Sequence, residues 1–434
     1  MKKTIVVLVA LALVLSSAFA QAAAENQTAK QGSVYWLNFK PEADATFQEI
    51  AAAYTAETGV PVKVVTAASG EYNTTLTAEM DKSTPPTLFV IGNDGAVRTW
   101  GEYAYDLTGT KVANELTTAA YNHYDENGKL CSIGYCYESF GIIVNKELLA
   151  KAGYAVEDIK DFASLKAIVE DIHARAAELG FDAFTSSGMD GSSSWRFSGH
   201  LANVDLYYEA RDNGWTDGPQ PATITGAYLG NFKNLWDLYI NNSAYAPNTL
   251  ATGGYDAKNE FGTKKAVFYQ NGSWEYESLV KDYGLDPENL TMIPFYCGVE
   301  GEEKAGLNCG TENCWAVNAK ASQEDIEATL EFMYWMVTSK TGTELLVRSL
   351  GAIPYKQAPV SDNVFLKAAS EYDKKGNYVM AWAFNYTPAV DDWRAGVVSA
   401  MNQYDNAPSA ETWKLVETAF VQGWATQYAI ENAN

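Results

Sequence analysis

The sequence predicts an α/β protein in which a parallel sheet is covered by helices. Short apolar runs alternate with amphipathic helical stretches from the first third of the chain onward, the grammar of βαβ units. The 434 residues are 47% hydrophobic and 20% charged, enough apolar surface for a globular protein of two or more domains. No internal repeat, low-complexity tract or Pro-rich linker interrupts the pattern, so a second domain is joined by extended crossings and not by a flexible tether.

Taken in order, Val34 to Leu37 is a buried strand, Asn38 to Ala43 a loop, and Thr46 to Thr58 a helix stopped by Gly59. Val60 to Val65 is the second strand, Glu71 to Met80 a helix, and Thr87 to Ile91 the third strand, ending in Gly92-Asn93-Asp94-Gly95. Ligands of such sheets sit beyond the carboxyl ends of strands, which singles out the loops at 38–42 and 92–94. Asn127-Gly128 marks a turn, Phe140 to Asn145 a strand, and Lys146 to Ala152 a helix. Phe162 to Leu179 and Tyr228 to Ile240 read as helices; Leu229, Phe232, Leu235, Trp236 and Tyr239 fall on one helical face and are given to packing. Ala266 to Tyr269 and Leu290 to Phe295 are strands, and 323–336, 344–349 and 391–428 are mostly helical.

Composition excludes several function classes. With 31 Lys+Arg against 54 Asp+Glu the formal charge is -23, which repels phosphate backbones and anionic lipid, so nucleic acid is not an expected partner. The three histidines, His123, His173 and His200, have no metal-ligand or triad spacing. No GxxxxGK[ST], GxSxG or GxGxxG occurs, so nothing supports ATP hydrolysis, a nucleophile elbow or a dinucleotide cofactor. No cofactor is expected. Met1-Lys2-Lys3, the apolar run Ile5 to Leu15 and Ala18-Phe19-Ala20 fit a secretory signal peptide over residues 1–20. The expected location is the periplasm or outer face of a bacterial envelope.

Export permits disulfides, but five cysteines are an odd number, so at least one thiol stays unpaired within the chain. Cys131 and Cys136 need a turn near Gly134 to meet, whereas Cys309 and Cys314 flank a tetrapeptide and close a small loop more easily.

Aromatics are in surplus: 12 Trp, 27 Tyr and 17 Phe. Several stand beside amides or small residues at predicted strand ends, as in Trp36-Leu37-Asn38, Ser194-Trp195-Arg196, Asn271-Gly272-Ser273-Trp274 and Trp382 near Asn385-Tyr386. A pyranose offers a C–H face to stack on and an edge of hydroxyls for Asn, Asp, Glu or Arg, so these residue types fit a sugar. The competing reading makes each Trp half-buried core.

Ala266 to Trp274 resembles the A-M-x-x-x-G-x-W signature of the extracellular solute-binding proteins of carbohydrate ABC importers, the maltose-binding-protein-like group, with Val267 in place of Met and one extra residue before Gly272. The resemblance continues in order through Tyr54 to Val60, the Pro86 to Asn93 strand, and Val144-Asn145-Lys146-Glu147-Leu148-Leu149-Ala150-Lys151-Ala152-Gly153. It runs on through Phe162 to Phe184, Met292 to Phe295, Trp315 to Asn318 and Gly351 to Pro354. It implies a two-lobed periplasmic-binding-protein fold of type II, each lobe a mixed, mostly parallel sheet flanked by helices. Lobe 1 is then 33–136 plus 297–349 and lobe 2 is 140–293 plus 352–434, with hinge crossings near 137–139, 294–296 and 350–351. The same resemblance places sugar contacts at Trp274 as the stacking ring, at Glu138 by the hinge, and at Asn38, Lys40, Asn93 and Asp94 in the strand-end loops. Trp195, Trp382, Arg394 and Tyr72 are further candidates, with core the alternative for Trp382 and a surface ion pair for Arg394.

The reading that follows is a monomeric, non-enzymatic receptor that holds a mono- or oligosaccharide between its lobes and delivers it to the permease of an ABC transporter with a separate ATPase. A polyamine receptor of the same architecture, using Asp94, Glu138 and Trp faces, is the alternative. A secreted glycoside hydrolase or lectin-like module is the alternative of another class.

Overall fold

The computed structural model describes residues 32–433 apart from 69, 187, 192, 217 and 251–254; the expected signal peptide, 1–20, lies outside them. Twelve strands are described: β1 Val34–Asn38, β2 Val62–Thr66, β3 Leu88–Val90, β4 His123–Tyr124, β5 Leu130–Gly134 and β6 Glu138–Asn145, then β7 Asp182–Phe184, β8 Ala266–Gly272, β9 Leu290–Ile293, β10 Ala305–Gly310, β11 Cys314–Val317 and β12 Tyr378–Ala381. They form two six-stranded sheets. The first has the order β2-β1-β3-β11-β5-β4, and the second β12-β10-β6-β8-β7 with β9 also on β6.

In the first sheet β1 runs parallel to β2 and β3, as the βαβ spacing requires, and β11 enters antiparallel between β3 and β5. The helix Asp44–Thr58 covers this sheet because Phe47, Ile50, Ala51 and Tyr54 recur on one helical face and are buried. Gly59 ends it in the left-handed conformation at φ 77°, where its N–H reaches the Thr55 carbonyl. The core here gathers Trp36, Phe47, Trp315 and Phe332, with Trp36 stacked on Phe47 at 4.3 Å.

The second sheet is buried on both faces, and the period of two in a strand shows how. Phe140, Ile142 and Val144 of β6 enter one cluster with Trp236, Trp393 and Phe420, whereas Ile143 between them enters another with Tyr269, Met292 and Phe365. The stripe given to packing, Leu229 to Tyr239, is buried in the first of these clusters. The expected helix over 162–179 is two segments, Phe162–Ala174 and Ala176–Leu179, parted at Arg175. Its guanidinium caps the Ala152 carbonyl at 2.8 Å.

The lobe boundaries differ from the expectation. Strand β10 pairs with β6 and β12 in the second sheet, and Cys297 and Val299 belong to that sheet's core, so 297–310 is part of the second unit and not of lobe 1. The chain passes between sheets at 311–313 instead of 294–296, and at 135–137 between β5 and β6. Ile353 and Tyr355 pack in the first core, and the Tyr355 hydroxyl donates to the Gly134 carbonyl at 2.9 Å. The third crossing therefore lies between 358 and 363 and not at 350–351. Motifs near a crossing do not report which sheet the next strand joins, because that depends on pairing partners distant in sequence.

All five cysteines are buried free thiols. Cys309 and Cys314 fall on strands of different sheets, Cys309 Sγ lying 3.2 Å from Ser139 Oγ and Cys314 Sγ 3.4 Å from the Tyr121 carbonyl; the small loop between them is not closed by a disulfide. Among the described residues no helix is long and apolar enough to cross a membrane, and no cluster of three His, Cys, Asp or Glu side chains could hold a metal ion.

Candidate ligand-binding cleft

A cavity of about 980 Å³ opens between the two sheets. Its walls come from strand ends: the loop after β1, the residues after β3, the start of β6, the turn after β8 and the segment after β12. In the first unit Tyr72 and Asn73 enter from the start of the helix Tyr72–Met80; in the second Arg394 enters from the helix Val390–Asn406.

Lys40 and Glu138 meet inside the cavity at 2.7 Å, one from each unit, and both are buried. Glu42 reaches the same ammonium at 2.8 Å. Burial works against the Lys40 charge, but the Glu138 and Glu42 carboxylates outweigh it and hold its pKa above the ordinary lysine value. Burial likewise pushes Glu138 above the usual carboxylate range, with the Lys40 ammonium opposing. The second Glu138 oxygen accepts from Asn313 Nδ2 at 2.7 Å, so this buried pair has partners for both its oxygens.

One wall of the cavity is aromatic. Trp274 follows β8 on the turn Ser273–Glu275 and is half-buried. Its ring lies 6.1 Å from that of Trp195 at 51° and 5.3 Å from His200, with Lys40 Nζ 5.8 Å from its centroid. A Cβ on Gly272 would stand 2.2 Å from the Trp274 indole, so the ring holds this position because residue 272 has no side chain. Trp382 lines the cavity yet is 5% exposed; it stacks on Phe384 at 5.3 Å and tilts on Phe140 at 5.3 Å. It serves as core and wall together. Arg394 lies over Phe384 at 5.6 Å and faces Glu312 at 4.0 Å across the gap between the units, so the ion pair expected at a surface is a pair at the cleft. Tyr72 lines the cavity and accepts the Val90 N–H at 2.8 Å.

Two expected residues do not line the cavity. Asn38 is fully buried and binds its own loop: Oδ1 accepts from Lys40 N at 2.8 Å, and Nδ2 donates to the Lys40 carbonyl at 2.7 Å and to Thr66 Oγ1 at 3.0 Å. Its role is to place Lys40. Asp94 turns outward to His123 Nδ1 at 3.5 Å, while Asn93 beside it lines the cavity and caps the helix Asp94–Trp100 through the Ala96 N–H at 2.8 Å. A strand-end loop identifies a neighbourhood, and the cap geometry decides which side chain points inward.

Sequence reasoning missed Arg196, His200, Lys258, Glu275, Glu312 and Asn313, all lining residues. Arg196 and Glu275 stand next to Trp195 and Trp274 in the chain and were findable there. Lys258, 3.1 Å from Glu275, carried no local signal. His200 is buried, and burial first, then the charges of Arg394, Arg196 and Lys40, hold it neutral by pushing its pKa well below the usual imidazole value. Flat rings on one side, with charged groups and amides around them, are groups that can stack on and orient a polar ring.

A model of the family described as bacterial extracellular solute-binding protein matches residues 49–375. The multiple sugar-binding protein of Streptococcus mutans is 23% identical over 341 residues, covering 77% of each chain. RafE, which is from Streptococcus pneumoniae, has been solved in complex with raffinose; that structure superposes with a TM-score of 0.70 at 17% identity, over 92% of this chain and 100% of its own. The GacH receptor of Streptomyces glaucescens, solved unliganded and with acarbose, gives 0.61 at 21% identity, over 90% and 98%. By the extent of the family match, this chain belongs to the bacterial extracellular solute-binding proteins and is a receptor, not an enzyme.

Proposed function

We propose that this chain binds a carbohydrate between its two units and presents it to the permease of an ABC importer whose ATPase is a separate chain, working as a monomer in the periplasm or at the outer face of the envelope. The observation that carries this reading is the pair of indoles, Trp195 and Trp274, at one wall of a cleft otherwise lined by charged and amide side chains. What the relatives bind, multiple sugars and raffinose, supports it. The cavity stands near the upper end of the ~300–1,000 Å³ range of small-molecule sites, which leaves room for more than one sugar ring. The site residues are Trp274, Trp195, Trp382, Lys40, Glu138, Asn93, Tyr72 and Arg394.

The polyamine alternative loses support because the carboxylates it needs are engaged: Glu138 and Glu42 by Lys40, Glu275 by Lys258, and Asp94 by His123 outside the cavity. Contacts such as Asn73 Nδ2 to Asp391 at 2.7 Å and Arg98 to Glu431 at 2.8 Å join the two units across the cleft. A guest touching both walls adds to these contacts only when they are formed, and so shifts the population toward the closed form. Isothermal calorimetry with mono- to tetrasaccharides tests the proposal; absence of heat and of Trp quenching with every sugar, alongside binding of spermidine, would replace it.

A further inference from the structure

Of the four cationic side chains among the described residues that line the cavity, three face a carboxylate: Lys40 faces Glu138, Lys258 faces Glu275, and Arg394 faces Glu312 at a longer 4.0 Å. The fourth, Arg196, has no carboxylate within ion-pair distance among the described residues, although its charge reaches Glu275. It is 8% exposed, and among the described residues its guanidinium forms no ion pair while its Nε has no hydrogen-bond partner. Its contact is with the neighbouring indole, Cζ standing 5.3 Å from the Trp195 centroid.

A buried guanidinium with no carboxylate in contact is costly, and an anionic group on a ligand would supply the missing partner. Several acids of the lining are engaged with other groups. Glu275 pairs with Lys258 and accepts from Asn271 Nδ2 at 3.1 Å, Asp256 caps the helix Ala257–Gly262, and Asp190 has a partner of its own. Arg394 and Lys40, each facing a carboxylate, act with Arg196 on the buried His200 ring that sits against Trp195 and Trp274. A planar fork of N–H donors beside two indole faces matches a ring that bears a planar anion at its edge.

We propose that the guest is an acidic sugar, a uronic acid or an oligosaccharide containing one, whose ring stacks at Trp274 and Trp195 and whose carboxylate pairs with Arg196. This rests on the carbohydrate reading above and narrows it to a substrate class.

Calorimetry on the purified protein decides it with two matched panels: galacturonic and glucuronic acid with their di- and trimers, and galactose and glucose with the corresponding neutral oligomers. The expected result is that at least one uronate binds 10-fold or more tighter than its neutral counterpart, with affinity falling as salt rises. Arg196→Gln then weakens the uronate by roughly 10- to 100-fold and leaves neutral sugars within a few-fold, Arg196→Lys keeps part of the preference, and the unliganded thermal midpoint of Arg196→Gln does not fall. Neutral sugars binding as well as or better than every uronate would overturn the proposal and leave the carbohydrate reading standing. So would equal losses for both panels in Arg196→Gln. If neither panel binds, both readings fail together.

Discussion

Gly272→Ala separates a ligand-facing Trp274 from a structural one. The backbone at Gly272 is extended, φ -130° and ψ -176°, which alanine adopts freely, so the added methyl acts only through space. It would stand 2.2 Å from Cη2 and Cζ3 of the indole and 2.7 Å from Cε3, and restoring a contact of about 3.5 Å moves the ring by roughly 1.3 Å. The six-membered edge of a half-buried side chain has the cavity to move into, so the fold absorbs the change, and losing a glycine from a strand offsets part of the strain. A stacking partner displaced by that much loses most of its contact with a sugar face. We expect about 2 kcal/mol of binding free energy to be lost, roughly 30-fold in Kd, with the unliganded midpoint nearly unchanged. Calorimetry with the tightest-binding sugar, together with a thermal melt, measures both. Unchanged Kd together with a lowered midpoint would refute the reasoning and assign Trp274 to packing.

Trp274→Ala should weaken sugar binding by roughly 2 to 4 kcal/mol while moving the unliganded midpoint little, read by titration and melting. Asn38→Ala should cost about 1–3 kcal/mol in urea unfolding, since it strands buried groups of the Lys40 loop. Asp405 is fully buried, accepts one bond from Trp236 Nε1 at 2.9 Å and has no partner on its other oxygen; burial pushes its pKa up to about 8. The folded protein therefore keeps a proton that the unfolded chain, with Asp near 3.9, releases. Stability falls as pH rises from about 4 to 8, by up to about 1.4 kcal/mol per unit from this group. Asp405→Asn should flatten that slope in denaturant titrations across the same range, and an unaltered slope would contradict the assignment.

Local periodicity makes most of the first unit legible. Phe47, Ile50 and Tyr54 declare a helix face, Gly59 its stop, and the runs at β1, β2 and β3 their strands, because each signal is complete within a dozen residues. What escapes depends on partners far away. Nothing around Ala305–Gly310 says that it pairs with β6, and the lobe bounds implied by the family resemblance assign this strand of the second sheet to the first unit. At the cleft, the indoles are legible from their small and amide neighbours, but Lys258 reaches Glu275 only through the fold, and whether Asn93 or Asp94 faces inward is settled by a helix cap. Asn38 is legible in its position but not in its role, because its amide satisfies backbone groups that composition does not reveal.

Strand β11 lies between β3 and β5, yet it is synthesised about 180 residues after β5. Until Cys314–Val317 is available the first unit consists of two half-sheets with a gap where their middle belongs, and the last strand of the second sheet follows later still, at Tyr378–Ala381. Neither half is a unit that can be cut out and expressed alone, and a fragment ending before residue 314 exposes two sticky sheet edges. Such non-local pairing makes for slow folding, with partly built states open to wrong partners. The two-walled geometry that lets one molecule clasp another thus makes each wall wait on a strand that comes late in the chain's own synthesis.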